Sequence, residues 1–363
     1  MKILHVSHNF YPVMGGMERN IEDICRGLIE LGHRSDVCCL RVPGTAGRET
    51  YNGIDIHRVR AASFRFYKIA PQVMRLARKY NIVHVHGLGF FSDMLGLAKM
   101  AGLLRPGLVL STHGGIFHTR SMWPVKKAYF HIWSRLPLRG FDMVVAVSKS
   151  DMQLFSCIAK RMTLIPDTID FQRFSRIKRR PENGVFIFVG RLSRNKRIDN
   201  LIRAFALVAK SRPGFMLFII GDDWDGQKMR LKQMASKEGI EGRVVFTGSV
   251  DDENLMRYYQ RAQFFMSASE YEGFGISVLE AMAAGVPVMV NNIPAFRTFV
   301  DNGKNGFIIN FNDAMSAARS IERITDSADL ASISRSARTT AKTYDYRQAA
   351  RRLERLYRDS ITS

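Results

Sequence analysis

Short apolar runs rich in β-branched and aliphatic residues recur along this chain, each separated from the next by a stretch with helical spacing. Lys2–Ser7 is the first. Gly15-Gly16 follow, and Met17–Leu31 then places Ile21, Ile24, Cys25 and Leu28 on one face of a helix. Gly32 stops that helix and Arg34–Leu40 reads as the next strand, followed by Ile82–His86, Leu108–Ser111 and Met143–Ser148. Strands that are apolar throughout and alternate with helices belong to a parallel sheet covered on both faces. The pattern starts again further on, with Val185–Val189, Met216–Gly221, Val244–Thr247, Phe264–Met266 and Val286–Val290. Between the two series, Arg173, Arg176, Lys178, Arg179 and Arg180 precede Pro181-Glu182-Asn183-Gly184, which reads as a linker. The expectation is an α/β protein of two Rossmann-like, doubly wound domains, residues 1–175 and 182–345, facing a central cleft where such sheets place ligands. The final helical stretch, residues 346–363, is expected to pack back on the first domain.

The residues with most chemical content lie in Ser267–Pro287. Here Glu272-Gly273-Phe274-Gly275 runs directly into a helix, Ile276–Ala284, that Gly285 and Pro287 end. Gly273 and Gly275 let backbone approach a ligand, and the free N–H groups of the helix start suit a phosphate. Glu280, one turn in, can accept two vicinal hydroxyls such as a ribose offers, and Glu272 can meet the other end of the same ligand. In Phe188–Arg197 a strand ends at Gly190, and Arg191 and Lys196 leave the following loop. Two cations there can neutralise charge growing on a departing diphosphate, although taken alone the segment is equally a solvated basic turn. Leu110–Gly115 ends a strand with His113 and two glycines, and Gly15-Gly16 stand close before Glu18. Each of these two is weak in isolation.

Together these segments resemble the retaining glycosyltransferases of the GT-B fold, in the large group called family 4, along essentially the whole chain. Glu272 and Glu280 match that family's E-x7-E signature in its E-G-F-G context. The resemblance implies that Glu280 binds the donor ribose, that Glu272 binds hydroxyls of the transferred sugar, and that backbone amides of Phe274, Gly275 and Ile276 contact diphosphate or sugar. Gly190, Arg191 and Lys196 resemble the G-R-x-x-x-x-K motif that holds the donor phosphates. Thr112-His113-Gly114 resembles a T-H-G element whose histidine faces the donor sugar, and Gly15-Gly16-Met17-Glu18 resembles a G-G-x-E loop near the phosphates and acceptor. The implied catalytic set is therefore Arg191, Lys196, Glu272 and His113, with the nucleotide sugar as co-substrate and no metal or other cofactor. Asp223-Trp224-Asp225 matches a metal-binding D-x-D in letters only and reads as a surface turn; Asp301–Phe307 also reads as a structural turn. Two departures stand out. Ile165-Pro166-Asp167-Thr168-Ile169-Asp170 replaces I-P-N-G-x-D, and Asn291–Arg297 replaces a G-G loop. The second variant resembles bacterial polyprenyl-diphosphate-linked mannosyltransferases of exopolysaccharide assembly. It implies an α-mannosyl residue moved from GDP-mannose to a lipid-diphosphate-linked saccharide acceptor, with a UDP-hexose as the alternative donor. Retention requires an oxocarbenium-like transition state; same-face attack and double displacement both stay open.

Charge adds the acceptor side. The 363 residues carry 54 Lys+Arg against 33 Asp+Glu, a net charge of +21. Residues 1–175 contribute 24 basic and 12 acidic residues, 24 − 12 = +12. The stretch between Asp55 and Asp93 lacks acids but holds Arg58, Arg60, Arg65, Lys68, Arg75, Arg78 and Lys79, with Phe64, Phe66 and Tyr67 among them. Phe117–Arg139 likewise carries Arg120, Lys126, Lys127, Arg135 and Arg139 beside Trp123, Tyr129, Phe130 and Trp133. Such interleaving suits an anionic membrane surface, at ~1 kcal/mol per basic residue near headgroups. No signal-peptide core opens the chain, and the apolar run near Phe215–Ile220 is far short of the ~20 residues a bilayer requires. Cys25, Cys38, Cys39 and Cys157 show no metal spacing and read as reduced core thiols. The expectation is a cytoplasmic enzyme, peripheral on the inner face of the membrane. Nucleic-acid binding would account for the charge but not for two glutamates around a Gly-x-Gly turn. A nicotinamide-dependent oxidoreductase is disfavoured because the first βα turn lacks G-x-G-x-x-G and Gly87–Ser92 fails its last position. A sugar-nucleotide scaffold without activity would not need every charged contact that this chain retains.

Overall fold

The computed structural model describes residues 1–64, 67–113, 123–159, 161–327 and 329–362. Arg65, Phe66, Gly114, Gly115, Phe117 and Arg120, singled out above, lie outside them. The chain forms two compact units, Met1–Thr168 with the returning segment from Tyr346, and Ile169–Asp345.

The first unit is built on an eight-stranded sheet. Its strands are β1 (Lys2–Val6), β2 (Arg34–Leu40), β3 (Arg48–Tyr51) and β4 (Ile54–Val59); after a small antiparallel pair, β5 (Ala62–Phe64) and β6 (Tyr67–Ile69), come β7 (Ile82–His86), β8 (Gly107–Ser111), β9 (Met143–Ala146) and β10 (Met162–Leu164). Their order is β10-β9-β8-β7-β1-β2-β4-β3, parallel except for β3 at the edge. Alternation sorts the side chains of β1 between two cores. Leu4 and Val6 join Val83 and Val85 under Phe91, Leu95 and Phe130. Ile3 joins Ile82 and Val109 under Ile24 and Leu28 of the helix Gly16–Glu30 and under Ala350, Leu353 and Tyr357 of the returning helix, Tyr346–Thr362. The two helices touch closely because Gly27 has no side chain: a Cβ there would lie 2.7 Å from that of Ala350. Arg26 Nε donates to the Tyr346 hydroxyl at 2.8 Å, and that hydroxyl donates to Glu30 at 2.7 Å.

The second unit has six parallel strands, β11 (Val185–Val189), β12 (Met216–Ile220), β13 (Val244–Gly248), β14 (Phe264–Ser267), β15 (Val288–Asn291) and β16 (Phe307–Ile309), in the order β13-β12-β11-β14-β15-β16. The order reverses at β11 and β14 in this sheet and at β1 and β7 in the first. Chain leaving the carboxyl ends of such neighbouring strands diverges, so each sheet opens a place for ligands at that point. The basic run at 173–180 is not a free linker. Ile169 and Phe174 are buried in the second unit's core, and the Arg179 guanidinium donates to the carbonyls of Ala262 and Gly285. Burial brings Arg179 down to about 10, still charged at neutral pH. Three of the four thiols lie in the core; burial pushes Cys25 up to about 12 and Cys39 up to about 11, whereas Cys157 is exposed and departs from the expectation of a core thiol. No helix among the described residues is long and apolar enough to cross a membrane.

Candidate active site

In the second unit β11 and β14 lie side by side, so the loops that follow them meet. Gly190 ends β11 with φ +158°, and Gly221 after β12 packs against its carbonyl, where a Cβ would come within 2.1 Å. The loop then turns through a 3-10 segment, Arg194–Lys196, into left-handed Arg197. This turn aims Lys196 at the β14 loop. Its Nζ donates to Glu272 Oε1 at 2.6 Å, and Ser269 Oγ donates to the same oxygen at 2.8 Å. Both charged side chains are mostly enclosed, at 16% and 12% exposure, so the pair is held in a setting where Coulomb attraction is only partly screened. Backbone contacts tie the loops further: Glu270 N donates to Asn195 O at 2.9 Å and Asn195 Nδ2 donates to Tyr271 O at 3.0 Å.

Arg191 does not join that pair. Its guanidinium lies over the Trp224 ring, 4.5 Å from the centroid, a cation–π contact. Trp224 is 60% exposed, which fits the surface turn read at Asp223–Asp225, yet that turn also has a structural task. Asp225 Oδ2 accepts from Arg194 N at 2.9 Å, and Asp223 accepts from Gln227 N and Lys228 N at 2.6 and 3.2 Å. Both acids thus serve backbone groups: Asp225 braces the basic loop, and Asp223 holds the start of the helix Lys228–Lys237.

Beyond Glu272 the chain passes Gly273, which is exposed, and Phe274, whose ring is buried against Phe299 and Tyr344. Gly275 takes φ +104° and starts the helix Ile276–Ala284. Phe274 therefore anchors the turn through its side chain, leaving main-chain groups at 275–276 at the positive end of the helix dipole. Glu280 sits one turn along, with Oε2 3.4 Å from the Tyr259 hydroxyl.

In the first unit, Gly15 precedes the helix Gly16–Glu30 and its N–H donates to Glu18 Oε2 at 2.9 Å, so Glu18 closes the helix start from within. His113 follows β8 with φ +43°, left-handed and strained for a residue with a Cβ. Its Nε2 lies 2.9 Å from His86 Nδ1, and His86 Nε2 lies 2.9 Å from His5 Nδ1. His113 Nδ1 approaches Asp167 Oδ1 at 3.2 Å, off the line of a straight hydrogen bond. Asn20 Nδ2 donates to that same carboxylate oxygen at 2.9 Å. A neighbouring branch runs from His84 to Ser111 Oγ at 2.8 Å and to the Tyr357 hydroxyl at 2.6 Å. Burial holds His5 down to about 3 and keeps His84 and His86 well below the usual histidine range, so these rings are neutral. Asp167, Asn20, His86 and His5 were not among the residues expected from sequence. Their signal was the alternation His84-Val85-His86, which puts two imidazoles on one side of a strand.

Known proteins match this chain closely enough to define its class. Residues 170–358 match the family described as Glycosyl transferases group 1, and residues 14–173 match Glycosyltransferase Family 4. The chain is 30% identical over 370 residues to the GDP-mannose:cellobiosyl-diphosphopolyprenol alpha-mannosyltransferase of Komagataeibacter xylinus, covering 99% of this chain and 94% of the relative. It is 29% identical over 363 residues to the protein of the same name from Xanthomonas campestris, covering 97% and 95%. The sucrose-phosphate synthase of Thermosynechococcus elongatus has the same fold, with a TM-score of 0.78 at 19% identity over 99% of both chains. Anabaena HepE in complex with UDP and glucose also has a TM-score of 0.78, at 20% identity over 99% of this chain and 100% of that one. The two Rossmann-like sheets are those of the GT-B fold, and the family match and the relatives make the chain a hexosyltransferase that draws on a nucleotide sugar. The chain belongs to the family of glycosyl transferases group 1, which matches over half of its residues.

Proposed function

We propose that this protein moves an α-mannosyl residue from GDP-mannose, with retention and without a metal, to a lipid-diphosphate-linked saccharide at the cytoplasmic face of a membrane. The donor and acceptor follow the relatives that align along nearly its whole length. The observation that carries the chemistry is the enclosed Lys196–Glu272 pair beside the helix start at Gly275. When a donor enters, Lys196 exchanges its carboxylate partner for the diphosphate, and Glu272 is released toward the hydroxyls of the sugar. Arg191, resting on an exposed ring, swings to the same phosphates. These two cations and the amides at 275–276 take up the negative charge of the leaving nucleoside diphosphate, which is the task a metal performs in other transferases. Glu280 holds the ribose. A Glu272 bound to remote hydroxyls is poorly placed to attack the anomeric carbon. In this reading His113, Gly15 and Gly16 of the first unit also serve donor binding, with His113 toward the sugar.

Acceptor delivery rests on a different surface. In the helix Trp123–Ala128, the π-helical turn Tyr129–Trp133 and the short helix Arg135–Leu138, Val125, Ile132, Trp133 and Leu136 are exposed, Ile132 at 75%. Exposed Lys127, Arg135 and Arg139 lie among them. The segment is pinned from below, since the Tyr129 hydroxyl and Trp133 Nε1 both donate to buried Asp93, at 2.8 and 3.1 Å. Apolar tips with basic neighbours on a fixed base suit an anionic bilayer surface. In the other acid-free stretch Arg60, Lys68, Arg75, Arg78 and Lys79 are exposed, whereas Arg58 is buried and donates to Glu49 at 2.7 Å and to the carbonyls of Ala46 and Tyr11.

Calorimetric titration of the purified protein with GDP, UDP and NAD, in chelator, tests the donor. Tight GDP and weak UDP support the mannosyl reading; a preference for UDP replaces it with a UDP-hexose donor, and binding of NAD alone removes the transferase site. Co-sedimentation with vesicles that did not depend on anionic lipid would count against docking on an anionic membrane surface.

A further inference from the structure

We propose that Asp167 is a positioning residue for His113, and that the buried pair His86–His5 completes the clamp from the other side. The inference rests on the reading above that His113 meets the donor sugar. One arrangement of protons suits the row of rings better than its reverse. The Asp167 carboxylate beside Nδ1 of His113 favours a proton on that nitrogen, since a bare lone pair would face negative charge. His113 Nε2 is then an acceptor, so His86 donates from Nδ1. His86 Nε2 in turn accepts from His5 Nδ1. The row ends at His5 Nε2, which is buried and has no partner among the described residues. In this direction that atom is an acceptor without a donor. The reverse direction would leave a buried N–H unpaired at His5 and a lone pair against Asp167 at the other end, and buried orphan N–H groups are the rarer and costlier kind. Burial keeps His5 and His86 neutral, so neither can donate from both nitrogens.

Asp167 is itself fixed. Asn20, buried in the helix that follows Gly15, donates to its carboxylate, and accepts from Thr168 N and Thr168 Oγ1 at 2.9 and 2.8 Å. This is the position at which the chain departs from the I-P-N-G-x-D pattern, and the departure supplies a charge where an amide would be neutral. His113, on a left-handed backbone, thus has His86 at hydrogen-bond distance from Nε2 and the Asp167 carboxylate 3.2 Å from Nδ1. The Gly15 loop and His113 are thereby linked through Asn20 and Asp167.

Two measurements on the full chain test this. Nitrogen-15 NMR of histidine-labelled protein, with the His113 signals identified through His113→Gln, should find the proton on Nδ1 of His113 in the parent and displaced in Asp167→Ala. In steady-state transfer assays Asp167→Ala should lose at least tenfold in kcat with donor KM within twofold, while Asp167→Asn, which keeps an acceptor oxygen but not the charge, should recover only part of it. His86→Leu should lose kcat in the same way, and it serves where Asp167→Ala does not fold. A proton on Nε2 of His113 in the parent, or parental kcat in both Asp167→Ala and His86→Leu, overturns the proposal. If the parent transfers neither GDP- nor UDP-linked hexoses, the functional reading fails, and the NMR tautomer alone decides the clamp.

Discussion

Lys196 and Glu272 show what a single enclosed contact can do in two states. Without a donor each neutralises the other; with one, each has a new partner of the proper charge. Lys196→Ala should therefore cost on the order of 10²–10³ in kcat/KM, about 3–4 kcal/mol of transition-state stabilisation. Glu272→Gln should cost less in the Lys196→Ala background than alone, because the two share one contact. Initial rates of nucleoside diphosphate release for the four proteins would measure both effects, and near-parental turnover in Lys196→Ala would remove Lys196 from the diphosphate. This pair was legible in sequence because each residue sits in a short motif with its own glycines. The histidine row was not. Its members come from β1, β7, β8 and the segment before Ile169, and only the strand order makes them neighbours.

The helix Ile276–Ala284 depends on a turn that only glycine tolerates. At φ +104° a side chain is strained, and a Cβ on Gly275 would lie 2.7 Å from the ring of Phe296. Gly275→Ala should cost about 1–3 kcal/mol of second-unit stability and weaken binding of a nucleoside diphosphate. Gly273→Ala makes the contrast: nothing lies within 4 Å of its added Cβ, and its stability effect should stay within about 0.5 kcal/mol. Thermal melts with and without GDP would separate the two, and equal melting points would mean that the turn relaxes freely. Strands such as Ile82–His86 and Val185–Val189 were readable to the residue, because both faces are buried and β-branched or aromatic residues fill most of their positions. Arg48–Tyr51, Met162–Leu164 and Phe307–Ile309 were missed. They are short or mixed in character, and pairing with a longer neighbour decides their state.

Across the first unit, three fully buried neutral histidines make stability depend on pH. His5, His84 and His86 bind protons far less readily folded than unfolded, where each titrates near 6.5. Below that pH the unfolded chain takes up protons that the folded chain refuses, so stability falls as pH drops and continues to fall toward pH 3, where His5 itself charges. From pH 7.5 to 5.5 the three together should remove ~4 kcal/mol. Urea midpoints of the first unit at the two pH values would show it; an unchanged midpoint would mean that the rings carry charge in the fold. The helix Tyr346–Thr362 has a consequence of another kind, for the order in which the molecule is made. On the ribosome, Ile169–Asp345 emerges as one continuous stretch and can fold as soon as it is complete. The sheet begun by β1 must wait, with Ile3, Ile82 and Val109 covered only in part by Ile24 and Leu28, until the returning helix has been synthesised. The half of the enzyme that starts first is therefore the last to be finished, and a nascent chain arrested anywhere in the second unit carries an open apolar face that chaperones can bind.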